Sequence, residues 1–114
     1  METFAIHKSA IIAPRKARMT LDLIRGKKVS DAEKILLTTN TKASRLIKKV
    51  LDSAVANAVN NLGLKKEDLF IKETYINPGT VLKRYKIGSR SRVDKRYKRT
   101  SHIYVKVSDG KEDN

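Results

Sequence analysis

Hydrophobic positions recur along this chain with two spacings, and the switches between them mark out the elements. Residues 4–12 (FAIHKSAII) are apolar and β-branched enough for a strand. Pro14 stands where a helix can begin, since its fixed φ suits a first helical position. Ala17, Leu21 and Ile24 then recur at i, i+4 and i+7, and Gly26 supplies a stop, so the spacing predicts a helix over 14–25. Ser30-Asp31-Ala32-Glu33 reads as a capping box, with the Ser30 hydroxyl accepting from the Glu33 amide and the Glu33 carboxylate reaching back. With Ala32, Ile35 and Leu36 it predicts a short helix over 31–39, after which Thr41 is placed to cap a new one.

The widest apolar face lies at 42–61. Ala43, Leu46, Ile47, Val50, Leu51, Ala54, Ala58 and Leu62 fall near a 3.6-residue period, while Lys42, Arg45, Lys48, Lys49 and Asp52 take the other side. Ala54, Ala56 and Ala58 permit a close neighbour, and Gly63 ends the helix. The face is aliphatic and Ala-rich, with no Trp or Phe, which fits packing on a sheet better than binding a membrane surface. The period then changes to two. Residues 69–76 (LFIKETYI) predict a strand, and in 101–107 (SHIYVKV) Ile103, Val105 and Val107 alternate with His102, Tyr104 and Lys106.

Charge changes the reading of the segment between those two strands. LKRYKIGSRSRVDKRYKR, from Leu82 to Arg99, holds nine basic residues and one acid, a net +8 out of +14 for all 114 residues. Charge concentrated in this way repels itself unless a polyanion lies against it, and nucleic acid is the commonest polyanion. Because strands flank the run, it is expected to extend them as a paired hairpin, with Gly88-Ser89 as a type II′ turn and arms reaching roughly 26 Å at ~3.3 Å per residue. Arg84, Arg90, Arg92, Arg96 and Arg99 can fork onto phosphates or stack on unpaired bases. Lys83, Lys86, Lys95 and Lys98 act as point charges, and Tyr85 and Tyr97 add stacking surface. A second basic group, Arg15, Lys16, Arg18, Arg25, Lys27 and Lys28, lies on or just after the first helix.

Other chemistries find little support. There is no Cys, so thiolate metal sites, thiol nucleophiles and disulfides are excluded. His7 and His102 are the only histidines and lack metal-ligand spacing, so no metal or cofactor is expected; His102 is expected to donate to phosphate or to sit on the sheet surface. Glu67-Asp68 reads as a solvated link or cap, and Arg25-Gly26-Lys27-Lys28 lacks the spacing of a P-loop. No nucleophile–base arrangement stands out, and no enzyme is expected. The apolar patch at the N-terminus is too short for a signal peptide, and no stretch approaches the ~20 apolar residues of a membrane span. The composition predicts a soluble intracellular protein that needs no membrane.

Three stretches resemble the bacterial large-subunit ribosomal protein twenty-two family. They are Asp22–Val29 (DLIRGKKV), Ser53–Ala58 (SAVANA) with Asn61, and Lys98–Ile103 (KRTSHI) followed by Val107-Ser108-Asp109; Leu82-Lys83-Arg84 also matches. The resemblance covers about residues 1–109, and the order and spacing of the motifs are more specific than any one of them. It implies an α+β fold, three helices on a small three-stranded antiparallel sheet with a long protruding β-hairpin. The expected organisation is one domain over 1–109, with the hairpin at about 80–99 and a flexible acidic tail at 110–114. It implies a cytoplasmic protein of the large ribosomal subunit that binds large-subunit ribosomal RNA, aids assembly and lines the nascent-peptide exit tunnel. Its partners would be that RNA, neighbouring large-subunit proteins and the nascent polypeptide. Lys83, Arg84, Arg90, Arg92, Arg96, Lys98, Arg99 and His102 match the hairpin and its base, and Arg25, Lys27 and Lys28 the basic turn. The tunnel-lining tip would be Ile87, Gly88, Ser89, Arg90, Ser91 and Arg92. Family members commonly have Pro where Ile87 stands and Gly where Ser91 stands. The rival readings are a DNA-binding or architectural protein using the same basic arm, and a basic module for an acidic protein or membrane surface.

Overall fold

A computed structural model describes residues 1–87 and 93–110, and the side chains of 82–98 lie outside that description. The turn expected at Gly88-Ser89, the tip positions Arg90, Ser91 and Arg92, and the tail at 111–114 therefore lie outside the described residues. The elements run β1 (Glu2–Ala10), α1 (Pro14–Ile24), α2 (Val29–Thr38), α3 (Lys42–Leu62), a single 3-10 turn (Lys66–Asp68), β2 (Phe70–Ile87) and β3 (Val93–Ser108). The three strands form an antiparallel sheet of order β1-β3-β2, so β3 is central.

The apolar stripes meet in one core. Ala17, Leu21 and Ile24 of α1 and Ile47, Leu51, Ala54 and Ala58 of α3 are fully covered, and they close over Ile71, Ile103, Val105 and Val107 of the sheet. Pro14 opens α1, and Gly26 and Gly63 adopt φ of 74° and 68° just beyond α1 and α3. Thr41 caps α3 through a reciprocal pair: the Ser44 amide donates to Thr41 Oγ1 at 3.1 Å, and the Thr41 amide to Ser44 Oγ at 3.3 Å. On α3, Val55 is buried and Leu62, expected on the apolar face, stands exposed in the last turn.

α2 corrects one expectation. It starts at Val29, not at Asp31, with Lys28 as N-cap, and Ser30 lies inside the helix with no capping role. The Val29 amide donates to the Leu69 carbonyl at 3.1 Å, so the chain enters the helix directly from contact with the residue before β2. Glu33 is drawn elsewhere: its carboxylate accepts from Lys66 Nζ at 2.9 Å, a hydrogen bond that holds the Lys66 ammonium above its ordinary pKa. The Glu67-Asp68 link forms the 3-10 turn that carries Lys66.

The helices leave the other face of the sheet uncovered. Across its three strands run Phe4, Tyr104 and Tyr75, with ring centroids 5.3 and 4.4 Å apart and planes nearly parallel. Tyr104, expected to alternate away from Ile103, Val105 and Val107, lies on this face, and the flanking rings cover it to 9 % exposure. Next to the rings lies a charge-balanced cluster, in which Glu2 accepts from Lys72 at 2.6 Å and Lys106 lies 3.7 and 3.4 Å from Glu2 and Glu73.

β2 and β3 stay paired beyond the body, from Val81↔Arg99 to Ile87↔Val93, so the described parts of the basic run continue the sheet. The register breaks where the arm leaves. In β1, Lys8 and Ser9 lie opposite the single residue His102, and in β2, Gly79 and Thr80 lie opposite Thr100. These are β-bulges, and β3 side chains satisfy the polar groups they disturb. The Ser9 amide, in a residue with φ of 59°, donates to His102 Nδ1 at 3.0 Å. Thr100 Oγ1 donates to the Thr80 carbonyl, and Ser101 Oγ donates to the Ile12 carbonyl at 2.7 Å.

Two stability measurements test this account. A Cβ on Gly79 would lie 2.5 Å from Thr100 Oγ1, which its own hydrogen bond holds in place. Gly79→Ala is therefore expected to lower stability by about 1–3 kcal/mol in urea unfolding. The Lys72 hydrogen bond holds the Glu2 carboxyl below its ordinary pKa. A depressed carboxyl contributes stability above its unfolded-state value and loses it as pH falls through the folded one. Glu2→Gln is expected to make stability decline less steeply on acidification through the ordinary carboxylate range.

Candidate nucleic-acid interface

The basic side chains fall into three settings. Arg18 of α1 and Arg25, which follows its last residue, both meet the outer edge of β2. Arg18 Nη2 donates to the Ile76 carbonyl at 3.2 Å, and Arg25 Nη1 donates to the Thr74 carbonyl at 2.7 Å while its Nη2 reaches Asp22 Oδ1 at 3.2 Å. Both are thus tied into the fold, with their remaining N–H groups facing outward from exposed residues. The turn after α1 is fixed to the same edge. The Ile71 amide donates to the Lys27 carbonyl at 2.9 Å, and Lys28 bridges Phe70. The side chains of Lys27 and Lys28 remain exposed.

The second setting is the root of the arm, where Arg99 lines two recesses. One, of about 460 Å³, lies between the first turn of α1 and the β2 bulge, with Arg15, Arg18, Pro78, Gly79 and Thr100 in its wall. The other, of about 630 Å³, lies between the link before α1, α1 itself and the first turn of α3, with Lys16 and Lys42 at its rim. Arg15, Lys16, Lys42 and Arg99 are all exposed. Lys42 escaped the sequence reading because only the packing of α3 beside α1 brings it to this group. His102, expected at phosphate or on the sheet surface, is half-buried with Nδ1 accepting from Ser9, so it braces the arm's root.

The third setting is the arm. Its register sets Lys83 opposite Tyr97, Arg84 opposite Arg96, Tyr85 opposite Lys95 and Lys86 opposite Asp94. Like charges directly opposed across a ladder are destabilising, and Arg84↔Arg96 is such a pair. Among the described residues no group of three His, Asp or Glu side chains is arranged to hold a metal.

Comparison with known proteins agrees with this geometry. Residues 5–108 match the family described as Ribosomal protein L22p/L17e. The chain belongs to that family. It is 48 % identical over 113 residues to the large ribosomal subunit protein uL22 of Staphylococcus aureus strains JH9, Newman and NCTC 8325, with 99 % of this chain and 97 % of each relative aligned. The L22p/L17e family is one of structural, non-enzymatic ribosomal proteins, in line with the expected lack of catalysis. Family membership also accounts for the three quoted motifs. Asp22–Val29 ends α1 and ties it to β2, Ser53–Ala58 lies under β1, and Lys98–Ile103 is the arm's root.

The three settings respond differently to substitution. Arg25→Gln is expected to cost about 1 kcal/mol of folding stability, because the Thr74 carbonyl loses its charged donor. Arg15→Gln is expected to leave the urea midpoint unchanged and to weaken RNA binding alone.

Proposed function

We propose that this ribosomal protein is a component of the large subunit in the cytoplasmic ribosome, that it binds large-subunit ribosomal RNA and supports its folding during assembly, and that its arm lines the nascent-peptide exit tunnel. The observation that carries the reading is that the described residues of a run of net +8, 82–87 and 93–99, directly extend the body's own β-sheet. A ladder that opposes Arg84 to Arg96 gains from a polyanion around it. An A-form major groove is too narrow for side chains, so the arm reads RNA shape, phosphates and unstacked bases. Arg15, Lys16, Lys27, Lys28, Lys42 and Arg99 on the body give the same RNA a second foothold. Ile87, Gly88, Ser89, Arg90, Ser91 and Arg92 would face the tunnel and the nascent polypeptide, and neighbouring large-subunit proteins complete the partners.

Salt dependence tests the RNA reading. Each phosphate contact contributes roughly 0.7–0.9 to the slope of log affinity against log salt. Replacing Arg84, Arg90, Arg92 and Arg96 together by Ala is expected to flatten that slope for a large-subunit RNA fragment and to leave thermal unfolding of the body unchanged. An unaltered slope, or equal displacement of the RNA by duplex DNA, overturns it.

A further inference from the structure

We propose that the recess of about 630 Å³ at the root of the arm takes one unstacked RNA base, with the flanking phosphates held by Lys16, Lys42 and Arg99. The inference rests on the RNA-binding reading and assigns it a specific receptor. The recess has the size of a small-molecule pocket. Its floor is apolar and well covered: Ile12 is 7 % and Ala43 3 % exposed. At its mouth Ile11 and Met19 stand 49 % and 67 % exposed, although large aliphatic groups so placed gain nothing from water.

The charges around this apolar floor are all of one sign. Lys16, Lys42 and Arg99 reach it from α1, α3 and β3, and no acidic side chain lines it among the described residues. A flat, weakly polar ring joined to a chain of phosphates complements that arrangement. A simple anion would leave the apolar floor unused, and an apolar peptide would leave three cations without partners. Arg99 continues the charge of the arm into the recess, so a strand bound along the arm is led to it. Its guanidinium can also stack on an inserted base.

The test uses the full chain and a short oligoadenylate with one central 2-aminopurine. Stacking between adenines quenches this probe, and an aliphatic recess removes it from the stack. At saturation in low salt, emission is expected to rise severalfold. The double substitution Ile11→Ala and Met19→Ala, at exposed positions and without change of charge, is expected to keep the salt slope, to weaken binding about tenfold, and to lose most of the emission rise. Lys16→Gln with Lys42→Gln is expected to flatten the slope. Wild-type protein that binds the oligonucleotide and ribosomal RNA without any rise in emission overturns the inference and leaves the RNA reading standing, as does a double Ala variant equal to wild type. Protein that binds neither RNA overturns both.

Discussion

The central strand is the constraint on which the arrangement depends. β3 pairs with β1 along one side and with β2 along the other, and the same strand continues into the basic arm. Its inward residues Ile103, Val105 and Val107 are fully covered by helices. A slip of one residue would turn these three to solvent and every arm residue to the opposite face. The aliphatic core therefore sets the register of cations far from it. An arm joined by a flexible link would receive no such instruction.

The bulges refine this coupling. Two extra residues, one in each outer strand, fall beside Thr100–His102 and increase the local twist where the ribbon leaves the body. Thr100, Ser101 and His102 each satisfy a backbone group that the sheet ladder no longer serves. A polar motif at the foot of a basic segment invites a reading as nucleic-acid contacts. In this fold the Thr100 and Ser101 hydroxyls and His102 Nδ1 also hold the segment's direction.

Much of the fold was legible because its signals are local. The stripe of Ala17, Leu21 and Ile24, the cap at Thr41 and the alternation of Ile103, Val105 and Val107 involve residues within a few positions of each other, and each has the expected place. Strand-like flanks on either side of 82–99 were enough to anticipate the paired arm. The misses have non-local causes. Ser30 resembles a cap, yet Val29 is captured by Leu69, forty residues away, and Glu33 by Lys66. Tyr104, by contrast, takes the face its alternation predicts, and rings from two other strands cover it there. Arg18 and Arg25 are exposed, as members of a basic surface group should be, and the reach of their guanidiniums to carbonyls of β2 has no periodic signal. Lys42 joins the arm's root only through tertiary packing.

The treatment of the sheet's two borders has a consequence for the free protein. Outer strands expose a row of backbone groups able to recruit another chain. Along the body, side chains from the helical layer occupy part of each row: Asn57 of α3 donates to the Phe4 carbonyl at 3.3 Å, and Arg18 of α1 and Arg25 just after it donate to carbonyls of β2. Farther out no helix is within reach, and lysines and arginines crowd both strands, so two such ribbons repel each other. Side-chain plugs near the core and the charge of the arm's sequence thus both work against pairing of an outer strand with another chain.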